Sequence, residues 1–434
     1  MTDAQLSFNF GHDSDSTQEF FAIKRSWSAS KHRIMLRYIQ AHCYNLGGNK
    51  IFQSRNINYV DGFAGEGKYD KGFGIEDFVG ASTFWKRYNI NLLDTDGSPL
   101  IALKCARAFQ QENRVNLRCF FAEAKKQTNQ KLRENCEAVG KGLDYRVYPP
   151  HSFEKTFPQI MSELNGYPTV VFLDAFGVKG VSFGQICTIG DYLSQHKGEL
   201  FLLFHNSAVA RHAGYLDVNS TNPTMLKAAH TYMKNLTMLL GTNSDQDWKP
   251  KWGELRELPQ QFERWALRYF VDRIARESRF KGVATYEIKE KYTDTRPMYS
   301  IVVCSNHPPK AFGEFLNDFF ADENRLLYFV EDKNSLLRNF LEAEWRRQVE
   351  DRKVEIESEI IEVLKEISKR WIKLDDLITK IILEISCRGR ELGFLKRSNY
   401  REILIELYKK NIIEAETLGK NKLPTLQNRV KIVS

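Results

Sequence analysis

Residues 58–69 read Asn-Tyr-Val-Asp-Gly-Phe-Ala-Gly-Glu-Gly-Lys-Tyr, and this stretch decides the fold. Tyr59 and Val60 end an apolar strand, Asp61 sits at its carboxyl edge, and the chain then breaks into a glycine loop. Gly62, Phe63, Ala64, Gly65 and Gly67 make a turn in which missing side chains let a ligand approach the backbone. The spacing fits a nucleotide-type site. A glycine-rich β-turn with no ligand fits it as well, so support must come from the rest of the chain.

Working outward, the chain alternates strands and helices. A helix from Ser28, capped by Ser28 or Ser30, places Ile34, Met35, Tyr38, Ile39, His42, Cys43 and Leu46 on one face until Gly47 and Gly48 end it. His42 on that apolar stripe reads as a core residue. Ser98 as N-cap and Pro99 at the first helical position start a second helix through Cys105 and Phe109. Further strands are expected at Leu117 to Ala122, ending at Glu123, at Asp144 to Tyr148, at Thr169 to Leu173, ending at Asp174, and at Glu199 to Phe204. Val283 to Ile288 and Tyr299 to Cys304 read as a late hairpin. Continuous apolar strands separated by helices imply a mostly parallel sheet covered on both faces, an α/β fold with a terminal hairpin. Its extent is residues 26–330, after a polar tail at 1–25.

Beyond residue 330 the pattern turns helical. Ser335 to Trp371 is charged and heptad-like, Leu374 to Ile385 and Ser398 to Lys410 follow, and Ile412 to Glu416 with Lys422 to Val433 can pair as a wing. Residues 331–434 thus read as a helical linker and a winged-helix-like basic domain, with a helical oligomerisation tail as the alternative. From residue 386 onward there are eleven Lys or Arg against five Glu, a net of +6 out of +8 for the whole 434-residue chain. Such a footprint suits a polyanion, and Arg388, Arg390, Lys396, Arg397 and Arg401 are the candidate nucleic-acid contacts. An ordinary solvated basic surface is the other reading of the same residues.

Composition bounds the class. At 42% hydrophobic residues the chain can bury a sizeable core. Seven dispersed cysteines without a C-x-x-C pair indicate neither a disulfide framework nor a zinc site, which fits the cytoplasm. No apolar run approaches the ~20 residues of a membrane helix, so no membrane partner is expected.

No Gly-Lys-Ser/Thr follows the glycine loop to hold phosphate and magnesium, and no dinucleotide G-x-G-x-x-G is present. The spacing Asp-x-Phe-x-Gly-x-Gly is nearer the first motif of S-adenosylmethionine methyltransferases. Residues 59–69 also resemble the Tyr-Ile-Asp-Gly-Phe-Ala-Gly-Pro-Gly-Arg-Tyr motif of the bacterial three-Cys-motif partner (TcmP) family. Gly97 to Leu103 is similar to that family's next block, and Val171 to Gly177 resembles its Phe-Leu-Asp-Pro-Phe-Gly. Lys31, the strand Tyr299 to Cys304 and His307 also fall where the family has similar residues.

The resemblance implies a Rossmann-like methyltransferase fold, a C-terminal winged helix, and association with a radical-SAM-like protein bearing a three-cysteine motif. In such folds Asp61 and the loop Gly62, Phe63, Ala64, Gly65 and Gly67 face the methionine part of S-adenosylmethionine, and Glu123 takes the ribose hydroxyls. Asp174 is the candidate catalytic residue, orienting or deprotonating the acceptor. The chain departs from the family in three ways. An insertion lies between Gly72 and Gly97, which leaves open whether Ser98 lies beneath the glycine loop. Ala175 replaces the motif proline, and His151-Ser152 stands where an acid often follows the third strand. The leading expectation is a methyltransferase-like protein acting on DNA or RNA. A non-catalytic scaffold that binds S-adenosylmethionine or a nucleotide is the alternative.

Overall fold

The computed structural model describes residues 24–47, 55–72, 92–112, 115–175, 177–242, 248–330, 338–367, 371–387, 392–393, 395–416 and 423–433. Most of the expected tail, most of the 72–97 insertion, Phe176, Arg388 and Arg390 lie outside them.

Seven strands form one sheet: β1 (Asn56–Asp61), β2 (Asn116–Phe121), β3 (Tyr145–Val147), β4 (Thr169–Leu173), β5 (Gly198–Phe204), β6 (Gly282–Ile288) and β7 (Tyr299–Ser305). Their order is β3-β2-β1-β4-β5-β7-β6. The first five are mutually parallel, while β7 runs antiparallel to both of its neighbours. The sheet is therefore mostly parallel and the protein is an α/β fold, as the apolar strand runs imply.

Successive strand residues feed opposite faces, the period-2 geometry of any strand. Tyr59, Phe121, Val170 and Phe172 enter one apolar cluster, and Val60, Phe120, Val171 and Leu173 enter the other. The first face is covered by α1 (Ser26–Gly47) and α2 (Ser98–Gln111), with α3 (Lys126–Gly140) at its edge. The second is covered by α4 (Phe153–Glu163), α5 (Phe183–His196) and a helical insert between β5 and β6. That insert comprises α6 (Asn206–Ala213), α7 (Pro223–Leu240), α8 (Lys249–Leu255) and α9 (Pro259–Glu277).

Helix α1 begins at Ser26, so Ser28 and Ser30 lie inside it instead of capping it. Ser30 accepts a hydrogen bond from Arg33, whose guanidinium also makes three contacts of 2.7 to 3.0 Å to Glu323. His42 is buried, as expected, and its Nδ1 lies 3.1 Å from Glu199.

A π-helical turn (Pro309–Leu316) and α10 (Asn317–Val330) lead to the C-terminal elements. These are α11 (Arg338–Glu366), β8 (Ile372–Lys373), α12 (Leu374–Cys387), α13 (Arg397–Lys409), β9 (Ile413–Ala415) and β10 (Arg429–Ile432). The three short strands form a separate sheet in the order β8-β10-β9. Yet the core does not stop at residue 330. One apolar cluster runs from the large sheet through Phe312, Leu316 and Phe320 to Ile378, Ile381 and Leu395. The C-terminal elements are built onto the first unit, which a composition shift at residue 331 could not reveal.

Candidate functional site

Parallel strands carry their ligand sites at the carboxyl edge, where the strand order reverses. Here the reversal falls between β1 and β4, because β2 and β3 continue to one side of β1 and β4 and β5 to the other. Asp61 ends β1 and Asp174 follows β4 by one residue, so both stand at that crevice.

The glycine loop after β1 is held tightly. Gly65 and Gly67 have φ of 60° and 77°, the left-handed region that favours glycine. A Cβ on Gly62 would lie 2.6 Å from the Leu173 side chain and 2.9 Å from the Phe153 ring. The Gly97 amide donates to the Gly67 carbonyl at 2.8 Å, so the start of α2 lies directly against the loop in spite of the insertion. Ser98 does not cap the helix, because Gly97 is the N-cap. Its hydroxyl is turned to Asp61 instead.

Asp61 is fully buried. The Phe63 amide donates to Oδ1 at 3.1 Å, while Oδ2 has no hydrogen-bond partner among the described residues. Burial pushes its carboxyl up to about 7, against the pull of the Ser98 hydroxyl and the Phe63 amide. A buried acid with one unpartnered oxygen at a strand end can accept a cationic or amino group.

Glu123, two residues past β2, accepts from the Gly65 amide at 3.1 Å through Oε2 and from the Lys125 amide at 2.8 Å through Oε1. It thus ties the glycine loop to the β2 turn. Burial raises its pKa, opposed by the Lys125 and Gly65 amides. Each carboxylate oxygen keeps a further lone pair, so hydroxyl groups can still be bound.

Asp174 is not free. Lys31 of α1 donates to its Oδ2 in a salt bridge whose lysine is buried and whose acid is 21% exposed. Burial pulls the Lys31 ammonium down, but Asp174, with Tyr69 and Asp61, outweighs it and the net shift is upward. His205, just after β5, also feels Asp174, although burial dominates and lowers its pKa. Its ring stands 5.5 Å from that of Tyr299. The site therefore gathers Asp61, Glu123, Asp174, Lys31, His205, Tyr69 and Tyr299. The sequence pointed to Lys31 only by its position, and His205 only as a strand end.

The basic candidates at the other end are arranged differently. Lys396 pairs with Asp322 of α10. Arg397 donates to the Gly313 carbonyl at 2.6 Å, to Thr379 at 2.9 Å and to Asp375 at 2.5 Å, and its own amide donates to Asp318. These contacts tie the start of α13 to α10, the π-helical turn and α12. Arg401 is half-buried, with an Nε that has no hydrogen-bond partner among the described residues. Arg388 and Arg390 lie outside the described residues.

No protein-family model and no curated protein matches the chain. Among solved structures, that of protein LPL1258 from Legionella pneumophila str. Philadelphia 1, of family DUF519, is similar over 70% of this chain and 90% of that one. The identity is 12% and the TM-score 0.36. No described helix is long and apolar enough to cross a membrane.

Proposed function

We propose that the carboxyl edge of the large sheet is an S-adenosylmethionine site and that the protein is methyltransferase-like, acting on nucleic acid. The observation that carries this reading is the convergence of a tight glycine loop, an acid with an unpartnered oxygen and a second acid at the reversal of strand order. The antiparallel β7 between β5 and β6 adds the closing hairpin of a methyltransferase-type sheet. When bound, S-adenosylmethionine supplies an electrophilic methyl group. Asp61 Oδ2 would accept the ligand's ammonium, the backbone of Gly65 and Gly67 would line its methionine part, and Glu123 would accept its ribose hydroxyls. Asp174, fixed by Lys31, would orient the acceptor group by accepting its hydrogen bond.

The C-terminal order helix, strand, helix, helix, strand, strand supports a winged-helix arrangement. Resemblance to the three-Cys-motif partner family adds a radical-SAM-like protein as a partner. The alternative is a scaffold that binds the ligand without chemistry, and one observation favours it: Lys31 already occupies Oδ2 of Asp174. Transfer of labelled methyl from S-adenosylmethionine to total RNA and DNA separates the two readings. An enzyme labels one of these pools and loses the activity in Asp174→Ala, whereas a scaffold binds ligand and labels neither.

A further inference from the structure

Among the described residues, most of the C-terminal cations have a carboxylate partner within the chain. Besides Lys396 and Arg397, Lys409 pairs with Glu406, Lys410 with Glu357, Arg429 with Glu416 and Lys431 with Glu414. The N-terminus of α13, which a winged helix would use to read bases, is anchored on Asp318 and Gly313. A second set of cations is arranged otherwise. Lys68 follows β1, Lys125 and Lys126 follow β2, Lys155 follows β3, Lys179 follows β4 and Arg211 follows β5. All six are exposed, and none makes a salt bridge among the described residues, although the charge of Lys125 acts on Glu123.

Their placement follows from topology. A loop after a parallel strand must emerge at the carboxyl edge, so Lys68, Lys125 and Lys179, with Lys126 and Lys155 in the first turns of α3 and α4, stand on the lip of the crevice holding Asp61 and Asp174, and Arg211 is near enough for its charge to act on His205. Helix stability accounts for Arg211, in the last turn of α6, but not for three of the lysines. Lys125 is the N-cap of α3, Lys126 its first residue, and Lys155 lies in the first turn of α4. At those positions the helix dipole disfavours a cation. The acids on the same lip do not cancel the charge: Glu66 is paired with Lys131, and Asp70 and Glu154 remain.

We infer that the polyanion-binding surface of this protein is the lip formed by Lys68, Lys125, Lys126, Lys155, Lys179 and Arg211, and that its occupant is the phosphate backbone of a nucleic-acid substrate. The inference rests on the nucleic-acid reading above and moves the contact from the C-terminal end to the mouth of the site. Backbone phosphates on the lip would bring a base or ribose over Asp174, whereas an acidic protein would gain nothing from that position.

The test uses the full chain and fluorescein-labelled 20-mer RNA and DNA, single-stranded and duplex, titrated by anisotropy at several salt concentrations. Wild type should bind with a steep salt dependence. Lys125→Ala/Lys126→Ala/Lys179→Ala should lower affinity about ten-fold or more and reduce the slope of log affinity against log salt by about 2 to 3. Lys409→Ala/Lys410→Ala/Lys431→Ala should stay within about two-fold of wild type, since those cations are already paired. Equal losses in the two triple variants, or a loss only in the second, would overturn the assignment. Equally tight binding of polyglutamate would overturn nucleic acid as the occupant. A wild type that binds no oligonucleotide at low salt, yet is stabilised by S-adenosylmethionine in the same preparation, would overturn this inference and leave the cofactor reading standing.

Discussion

Lys31 and Asp174, 143 residues apart in the chain, meet in a salt bridge at the carboxyl edge of the sheet. The contact joins the first helix to the end of β4 and fixes Asp174, the carboxylate proposed above to meet an acceptor. Replacing Lys31 by Met should destabilise the protein by about 2 kcal/mol, less than a fully buried broken pair because Asp174 is partly solvated. Lys31→Met/Asp174→Asn should recover most of that loss. Urea unfolding of the three variants checks it, and a double variant as unstable as the single would show that the charge pair is not the cause.

Asp61 gives a pH signature. Its folded pKa, about 7, lies above the ordinary value of 3.8, so the folded state binds the proton more tightly than the unfolded chain. Stability from this group is therefore highest below about pH 4, falls as pH rises towards 7, and is level above that. Asp61→Asn should gain stability over wild type across that window, by at most about 4 kcal/mol, while binding ligand less well. Unfolding at pH 4.5 and 8 measures the difference. A variant advantage that shrinks as pH rises would contradict the assignment.

Gly97→Ala should disrupt the glycine loop at a distance. The new Cβ would lie 2.8 Å from the Gly67 carbonyl oxygen, a backbone atom that cannot swing aside. A loss of about 1 to 3 kcal/mol is expected, with weakened ligand binding. Gly142→Ala is not a clean control, since its φ of 78° strains any side chain. Gly253→Ala, with nothing near its Cβ, is the better comparison and should be close to neutral in calorimetry.

Arg397→Ala should act on stability. Its guanidinium bridges Gly313, Thr379 and Asp375, so losing it deprives the buried Gly313 carbonyl and Thr379 hydroxyl of a donor and should cost about 1 to 3 kcal/mol. Affinity for nucleic acid, measured where the variant remains folded, should be unchanged. A selective loss of affinity without destabilisation would restore the C-terminal reading.

The strands were legible because burial on both faces writes continuous apolar runs. Thr169 to Leu173 is observed at the bounds its composition suggests, and the β6 and β7 hairpin is found within a residue of expectation. Asp61, Glu123 and Asp174 were legible for the same reason, since each stands where such a run ends. Pairing between distant side chains was not. Nothing local shows that Ser98 turns to Asp61, that Lys31 reaches Asp174, or that Arg397 faces inward, because each depends on how elements pack. Net charge by segment is blind to pairing for a related reason. It counts Lys410 and Lys179 alike, although Lys410 has Glu357 beside it.

The most direct test of the central claim is calorimetric titration of the wild type with S-adenosylmethionine and with its demethylated product. One site per chain is expected, and ligand at 100 times its dissociation constant should stabilise the fold by ~2.7 kcal/mol. Asp61→Asn and Glu123→Gln should each weaken binding about ten-fold or more. Absence of heat with both ligands at millimolar concentration, together with an unmoved melting transition, would contradict the account and leave the glycine loop as a structural turn.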